Sequence, residues 1–138
     1  MSRTMQGAVL HGAKDLRVEP CSVPGLRPGQ VLLRVRRAGI CGSDLHYFTH
    51  GYCAAFVPTR PFILGHEAVT EVAAVADDVK GLEVGARVVV NPARACGFSD
   101  YCKNGRGNLC RSTIFLGSAS TKPPTDGLFA EFGQDGGV

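Results

Sequence analysis

The chain has 138 residues, 44% of them hydrophobic, and a formal net charge of +3. That length predicts one domain burying about two-thirds of its unfolded surface, and no apolar run approaches the ~20 residues of a membrane span. The charge is modest and its one local basic cluster is Arg34, Arg36 and Arg37, which argues against nucleic acid as a partner.

The N-terminus lacks the apolar core of a secretion signal, which predicts a cytoplasmic protein. In that compartment the six cysteines read as metal ligands or free thiols, not disulfides. With 18 glycines and 8 prolines, short strands and turns are favoured over long helices.

Residues 5–10 and 16–19, separated by Gly12-Ala13-Lys14-Asp15, predict an opening hairpin. Residues 20–30 carry three prolines and two glycines and read as a loop. A strand follows over 31–38, with Leu33 and Val35 inward and Arg34 and Arg36 outward. It delivers the chain to Gly39 and Cys41. Ser43 is suited to cap a short helix over 44–48, whose positive end would favour a thiolate at Cys41. Residues 51–61 read as irregular and 68–76 as strand. Asp77-Asp78 reads as a turn, and 84–90 as strand. The segment 91–120 has little periodicity but holds three cysteines. Asp126-Gly127 opens a last short strand over 128–132, and 133–138 is a polar, glycine-rich, disordered tail.

Two glycine-bracketed loops carry the chemistry: Gly39-Ile40-Cys41-Gly42 and Leu64-Gly65-His66-Glu67. Alone, Cys41 reads as a small buried apolar residue and His66 as a structural histidine. Together with Glu67 they offer the thiolate, imidazole and carboxylate that bind a catalytic zinc with one position open. A zinc-protease helix is excluded, because Thr70 stands where its second histidine belongs. A cysteine nucleophile with His66 as its base stays open on residue types, although no oxyanion signature supports it. A zinc Lewis acid can bring a hydroxyl pKa from near 16 toward about 7, worth about 12 kcal/mol in favour of the anion.

The run Gly39-Ile40-Cys41-Gly42-Ser43-Asp44-Leu45-His46-Tyr47, then Leu64-Gly65-His66-Glu67, then the cysteine loop after Asn91-Pro92, resembles the zinc-containing medium-chain alcohol and polyol dehydrogenases. Phe115-Leu116-Gly117-Ser118-Ala119 and Asp126-Gly127-Leu128-Phe129 add to the likeness, which is greatest for the L-idonate and sorbitol (L-iditol) branch. The resemblance implies a mainly β, GroES-like, partly open barrel with a few short helices over residues 1–132. It implies a catalytic zinc at Cys41, His66 and Glu67, with Asp44 orienting the histidine. Ser43 would take the substrate proton and His46 would relay it to solvent. A small polyol or sugar-acid substrate, NAD or NADP, and a homo-oligomeric enzyme of two or four chains are implied too.

Many relatives hold a further, structural zinc by four cysteines. Here Cys96, Cys102 and Cys110 supply three, and Ser99 stands where the second thiolate would be, so that site is expected to be weak or empty. Cys21 and Cys53 fit neither set and are expected to be free. Tyr47, Phe48 and Phe115 are candidates to line the pocket. Thr70, Ala76 and Ala86 also depart from the family pattern. No Gly-x-Gly-x-x-Gly follows a strand, so no nucleotide-binding residues are assigned. The chain is expected to be a catalytic domain without its Rossmann partner, inactive alone. The competing expectations are a stand-alone GroES-like zinc-binding module without enzymatic activity, and a zinc-free quinone reductase relative. The Cys41, His66 and Glu67 set argues against the second.

Overall fold

The computed structural model describes residues 3–136. In chain order the first elements are β1 (Thr4–Gly12), β2 (Asp15–Ser22), β3 (Gln30–Gly39) and α1 (Gly42–His50). β4 (Phe62–Ile63), β5 (Glu67–Val75), β6 (Arg87–Val89), β7 (Ala93–Arg94) and α2 (Asp100–Lys103) follow. The described part closes with a 3-10 turn at Gly107–Leu109, β8 (Ile114–Phe115) and β9 (Phe132–Gly136). All pairings are antiparallel, in sheets ordered β2-β1-β4, β6-β5-β3-β9 and β7-β8. This is the mainly β, GroES-like architecture expected from the sequence. Among the described residues, no helix is long and apolar enough to cross a membrane.

The opening hairpin is present, but β2 runs on through Pro20 into the segment read as loop. β2 is an edge strand, where a residue without an N–H is tolerated.

β3 is the spine of the molecule, hydrogen-bonded on one side to β5 and on the other to β9. Val31 and Leu33 face one core with Ala68, Val72, Val90 and Leu128. Leu32, on the opposite face, belongs to a second core with Met5, Val9, Ile63 and Phe132. Burial on both faces explains why the N-terminal half of β3 is a continuous apolar run. Polar alternation begins only at Arg34. Arg34 lies over the Phe132 ring at 5.3 Å, and Arg36 pairs with Glu71 at 2.6 Å.

Three boundaries differ from expectation. The strand expected over 84–90 is confined to β6, and the one expected over 128–132 begins only at Phe132. Residues 127–129 instead donate backbone N–H groups to the 63–65 segment: Gly127 to Ile63 O, Leu128 to Gly65 O and Phe129 to Leu64 O, at 2.7–2.9 Å. The tail expected from 133 onward is, through Gly136, strand β9 on the edge of β3. Its backbone completes the ladder even though its side chains carry no strand pattern. Residues 137 and 138 of that tail lie outside the described residues. Thr70 is fully buried, and its hydroxyl donates to Val88 O at 3.2 Å, so a polar residue at this core position is satisfied.

The 63–65 segment is held by close backbone approach. Gly65 has φ +92°, and a Cβ at Gly127 would overlap the carbonyl oxygens of Leu64 and Gly65. Gly127→Ala is expected to destabilise the fold by about 3 kcal/mol. Gly25→Ala, where a Cβ meets nothing within 4 Å, should stay within about 0.5 kcal/mol. Urea unfolding midpoints of the two variants check this, and equal midpoints would refute the close-approach argument.

Candidate metal centre

The register of β3 against β5 builds the site. Gly39 pairs with Glu67, so the last residue of one strand faces the first of the other. Cys41 follows by two residues and His66 precedes by one. Donor atoms of Cys41, His66 and Glu67 therefore gather within 4.8 Å of one another. His66 is buried, Cys41 half-buried and Glu67 exposed, so the group has an inner wall and an open side. An open cleft of about 690 Å³ lies over it, lined by Gly39, Val89, Val90, Pro92 and Phe115 among others. The Phe115 ring meets the His66 imidazole edge-on, with centroids 5.2 Å apart.

Asp44, only 3% exposed, ties the two loops together. One carboxylate oxygen accepts the Cys41 N–H at 2.9 Å, and the other accepts the Gly65 N–H at 3.3 Å. The second oxygen also lies 3.6 Å from His66 Nδ1, just beyond hydrogen-bonding distance. That nitrogen is buried and has no partner among the described residues. A buried imidazole with a carboxylate behind one nitrogen is the arrangement that presents the other nitrogen to a metal. The donor set fits a zinc ion, with the His66 nitrogen that faces away from Asp44 as its ligand atom.

The helix after Cys41 is longer than expected. α1 starts at Gly42 with Cys41, not Ser43, at its N-cap, because Asp44 reaches back to the Cys41 N–H. Ser43 is thus inside the first turn and half-buried, and His46 is exposed one turn on. Neither lines the cleft. His46 Nδ1 donates to Tyr52 O at 2.8 Å. Of the expected pocket aromatics only Phe115 lines the cleft. Tyr47 is buried, its hydroxyl 3.3 Å from Ser118 Oγ and accepting the Ala119 N–H at 3.0 Å. Phe48 lies partly exposed on α1, outside the cleft lining.

The cysteine lobe is a separate cluster. Cys96, Cys102 and Cys110 bring their sulfurs within 4.8 Å. Ser99 Oγ donates to Cys102 Sγ at 3.2 Å, and its own N–H points to Cys96 Sγ at 3.4 Å. Ser99 thus stands beside the sulfurs where a fourth ligand would be. N–H groups of Cys96 and Ser112 on Cys110 Sγ draw that thiol down to about 6. The Phe98 and Ser99 N–H groups lower Cys96 in the same way. Cys21 and Cys53 are free, and burial pushes the Cys21 thiol up. One cluster went unnoticed in the sequence. His46 and His50, four apart on α1, stack with ring centroids at 4.3 Å, and their i, i+4 spacing was the available signal.

The alcohol dehydrogenase GroES-like domain family matches residues 27–134. Sorbitol dehydrogenase of Bacillus subtilis is 43% identical over 130 residues, covering 94% of this chain and 36% of that protein. The crystal structure of L-idonate 5-dehydrogenase from Escherichia coli K-12 aligns with TM-score 0.85 at 34% identity, over 96% of this chain and 38% of that one. An alcohol dehydrogenase from Escherichia coli CFT073 complexed with NADH aligns with TM-score 0.82 at 30% identity, over 99% and 37%. The chain spans about a third of the length of the curated relatives it matches.

Two outcomes are expected. Asp44→Asn leaves one acceptor for two N–H groups, so stability should fall by about 2 kcal/mol and zinc affinity by about 10- to 100-fold. Metal titration and urea unfolding of the variant measure both. Unchanged affinity would remove Asp44 from the site. Ser99→Cys completes a four-sulfur set and should raise zinc content by one ion per chain and the thermal midpoint by about 5 °C or more, with the gain lost on adding chelator. A parent chain that keeps a lobe zinc through dialysis against mild chelator would contradict this.

Proposed function

The chain belongs to the alcohol dehydrogenase GroES-like domain family, and from that premise we propose that it is the zinc-binding catalytic part of a dehydrogenase oxidising a secondary alcohol of a polyol or sugar acid, with NAD or NADP as hydride acceptor. The observation that carries this reading is the convergence of Cys41, His66 and Glu67 under one open cleft. These three residues would hold the zinc, with Asp44 behind His66. When bound, zinc supplies the Lewis acidity that lets a substrate hydroxyl ionise near neutral pH.

The chain's own groups do the rest. Phe115, Val89 and Val90 give the cleft an apolar lining. On the resemblance, Ser43 would take the hydroxyl proton, although it stands in the first turn of α1 and outside the cleft lining. His46, three residues on and therefore on the same helix face, passes it to solvent. With His46 Nδ1–H committed to Tyr52 O, Nε2 is the nitrogen left to accept a proton. A homo-oligomeric enzyme belongs to the same reading on the strength of the resemblance, and a cytoplasmic location on the N-terminal residues, which carry no apolar core of a secretion signal.

Purified chain is expected to bind one zinc at this centre. Cys41→Ala and His66→Ala should each lower zinc content, read by atomic absorption, by about one ion per chain. Unchanged zinc in both variants would defeat the reading. A chain that holds this zinc but binds no polyol or sugar acid would favour a non-enzymatic zinc-binding module.

A further inference from the structure

His46 and His50 lie outside the group formed by Cys41, His66 and Glu67, and both are exposed. They are four residues apart on α1, so their side chains rise from one helix face. Their rings sit 4.3 Å apart, centroid to centroid, and 31° from parallel. The hydrogen bonds decide which nitrogens are available. His46 Nδ1 lies 2.8 Å from Tyr52 O, and His50 Nδ1 lies 3.3 Å from His46 O. A carbonyl only accepts, so each Nδ1 carries the proton, and each Nε2 keeps its lone pair in the neutral ring. An imidazole held through one N–H on a carbonyl is the usual form of a metal-ligating histidine.

Two further features favour a cation here. His46 is the middle residue and His50 the last of the nine-residue α1, so the ion would lie toward the helix end where the dipole is negative. The Tyr52 ring flanks both imidazoles, at 5.7 and 5.9 Å, which restricts their rotation and lowers the cost of fixing them on an ion.

We propose that His46 and His50 form a further metal site on the surface of α1, taking a divalent late-transition ion such as Ni(II), Cu(II) or Zn(II) through the two Nε2 atoms, with water completing the coordination. Soft thiolate sites lie elsewhere in the chain, whereas two imidazoles and water suit borderline ions. The site's existence does not depend on the dehydrogenase reading. Its consequence does, because an ion on His46 Nε2 occupies the nitrogen assigned there to proton release.

Untagged chain run over immobilised Ni(II)–iminodiacetate tests the site, with the metal itself as probe. Wild-type protein is expected to be retained. His50→Gln and His46→Gln should each release at about tenfold lower imidazole, since one imidazole loses the gain of binding through two. His11, the other histidine that is not fully buried, is held by Glu19 at 3.1 Å, and His11→Gln should elute like wild type. Far-ultraviolet circular dichroism of each variant checks that α1 is intact. Retention of His50→Gln equal to wild type, or its loss in His11→Gln, overturns the proposal. Because the column reads imidazoles and the zinc measurement reads Cys41 and His66, failure of one reading leaves the other standing.

Discussion

The Asp44 carboxylate accepts the Cys41 N–H with one oxygen and the Gly65 N–H with the other, and the site depends on that double contact. It sits at the third position of α1, where the helix dipole favours a negative group. Burying it without partners would cost several kcal/mol. Two backbone donors and the nearby His66 imidazole offset this cost. The same atoms that satisfy the carboxylate therefore fix the distance between two loops 20 or more residues apart in the chain. Moving either loop would strand a buried charge.

The barrel supplies the frame for that contact. β3 and β5 pair along nearly their full length, with one bulge on each strand to keep the register. The ladder ends where Gly39 meets Glu67. Beyond it the chain leaves the sheet on both sides, into Cys41 and back to His66. Gly65 and Gly127 let the 63–65 and 127–129 backbones come within hydrogen-bonding contact without side chains between them. A rigid ladder behind and a close-packed backbone clasp beside it leave the donor atoms of Cys41, His66 and Glu67 little freedom.

The two candidate metal centres differ in construction. The centre at Cys41 draws on loops at the ends of two long strands, with a buried carboxylate behind. The cysteine lobe is built from short local elements: α2, a 3-10 turn and the two-residue strands β7 and β8. Its thiols are served mainly by backbone N–H groups, which favour thiolate. Ser99 donates to Cys102 Sγ while its Oγ also accepts the Cys102 N–H. The hydroxyl therefore caps α2 and partly quiets the cluster. With serine there, a local hydrogen-bond network takes the place of a fourth thiolate.

Residue identity and spacing alone determined which atoms are available as ligands, the order of the main strands, the mainly β class, and a helix immediately after Cys41. These are local properties: donor chemistry belongs to the side chain, and apolar runs and glycine punctuation act over a few residues. Only the tertiary structure decided that Gly39 faces Glu67, that Asp44 bridges two loops, and that Tyr47 is buried and not in the cleft. It also decided that Phe132–Gly136 pairs with β3 and that His46 stacks on His50. Each of the first four joins segments distant in sequence, through backbone groups or packing that leave no periodic mark. Glycine-rich β9 is the clearest case, because a strand edge recruits N–H and C=O groups whatever side chains they carry. The histidine spacing was visible in the chain, but only the carbonyls beside the two rings show which nitrogens face outward.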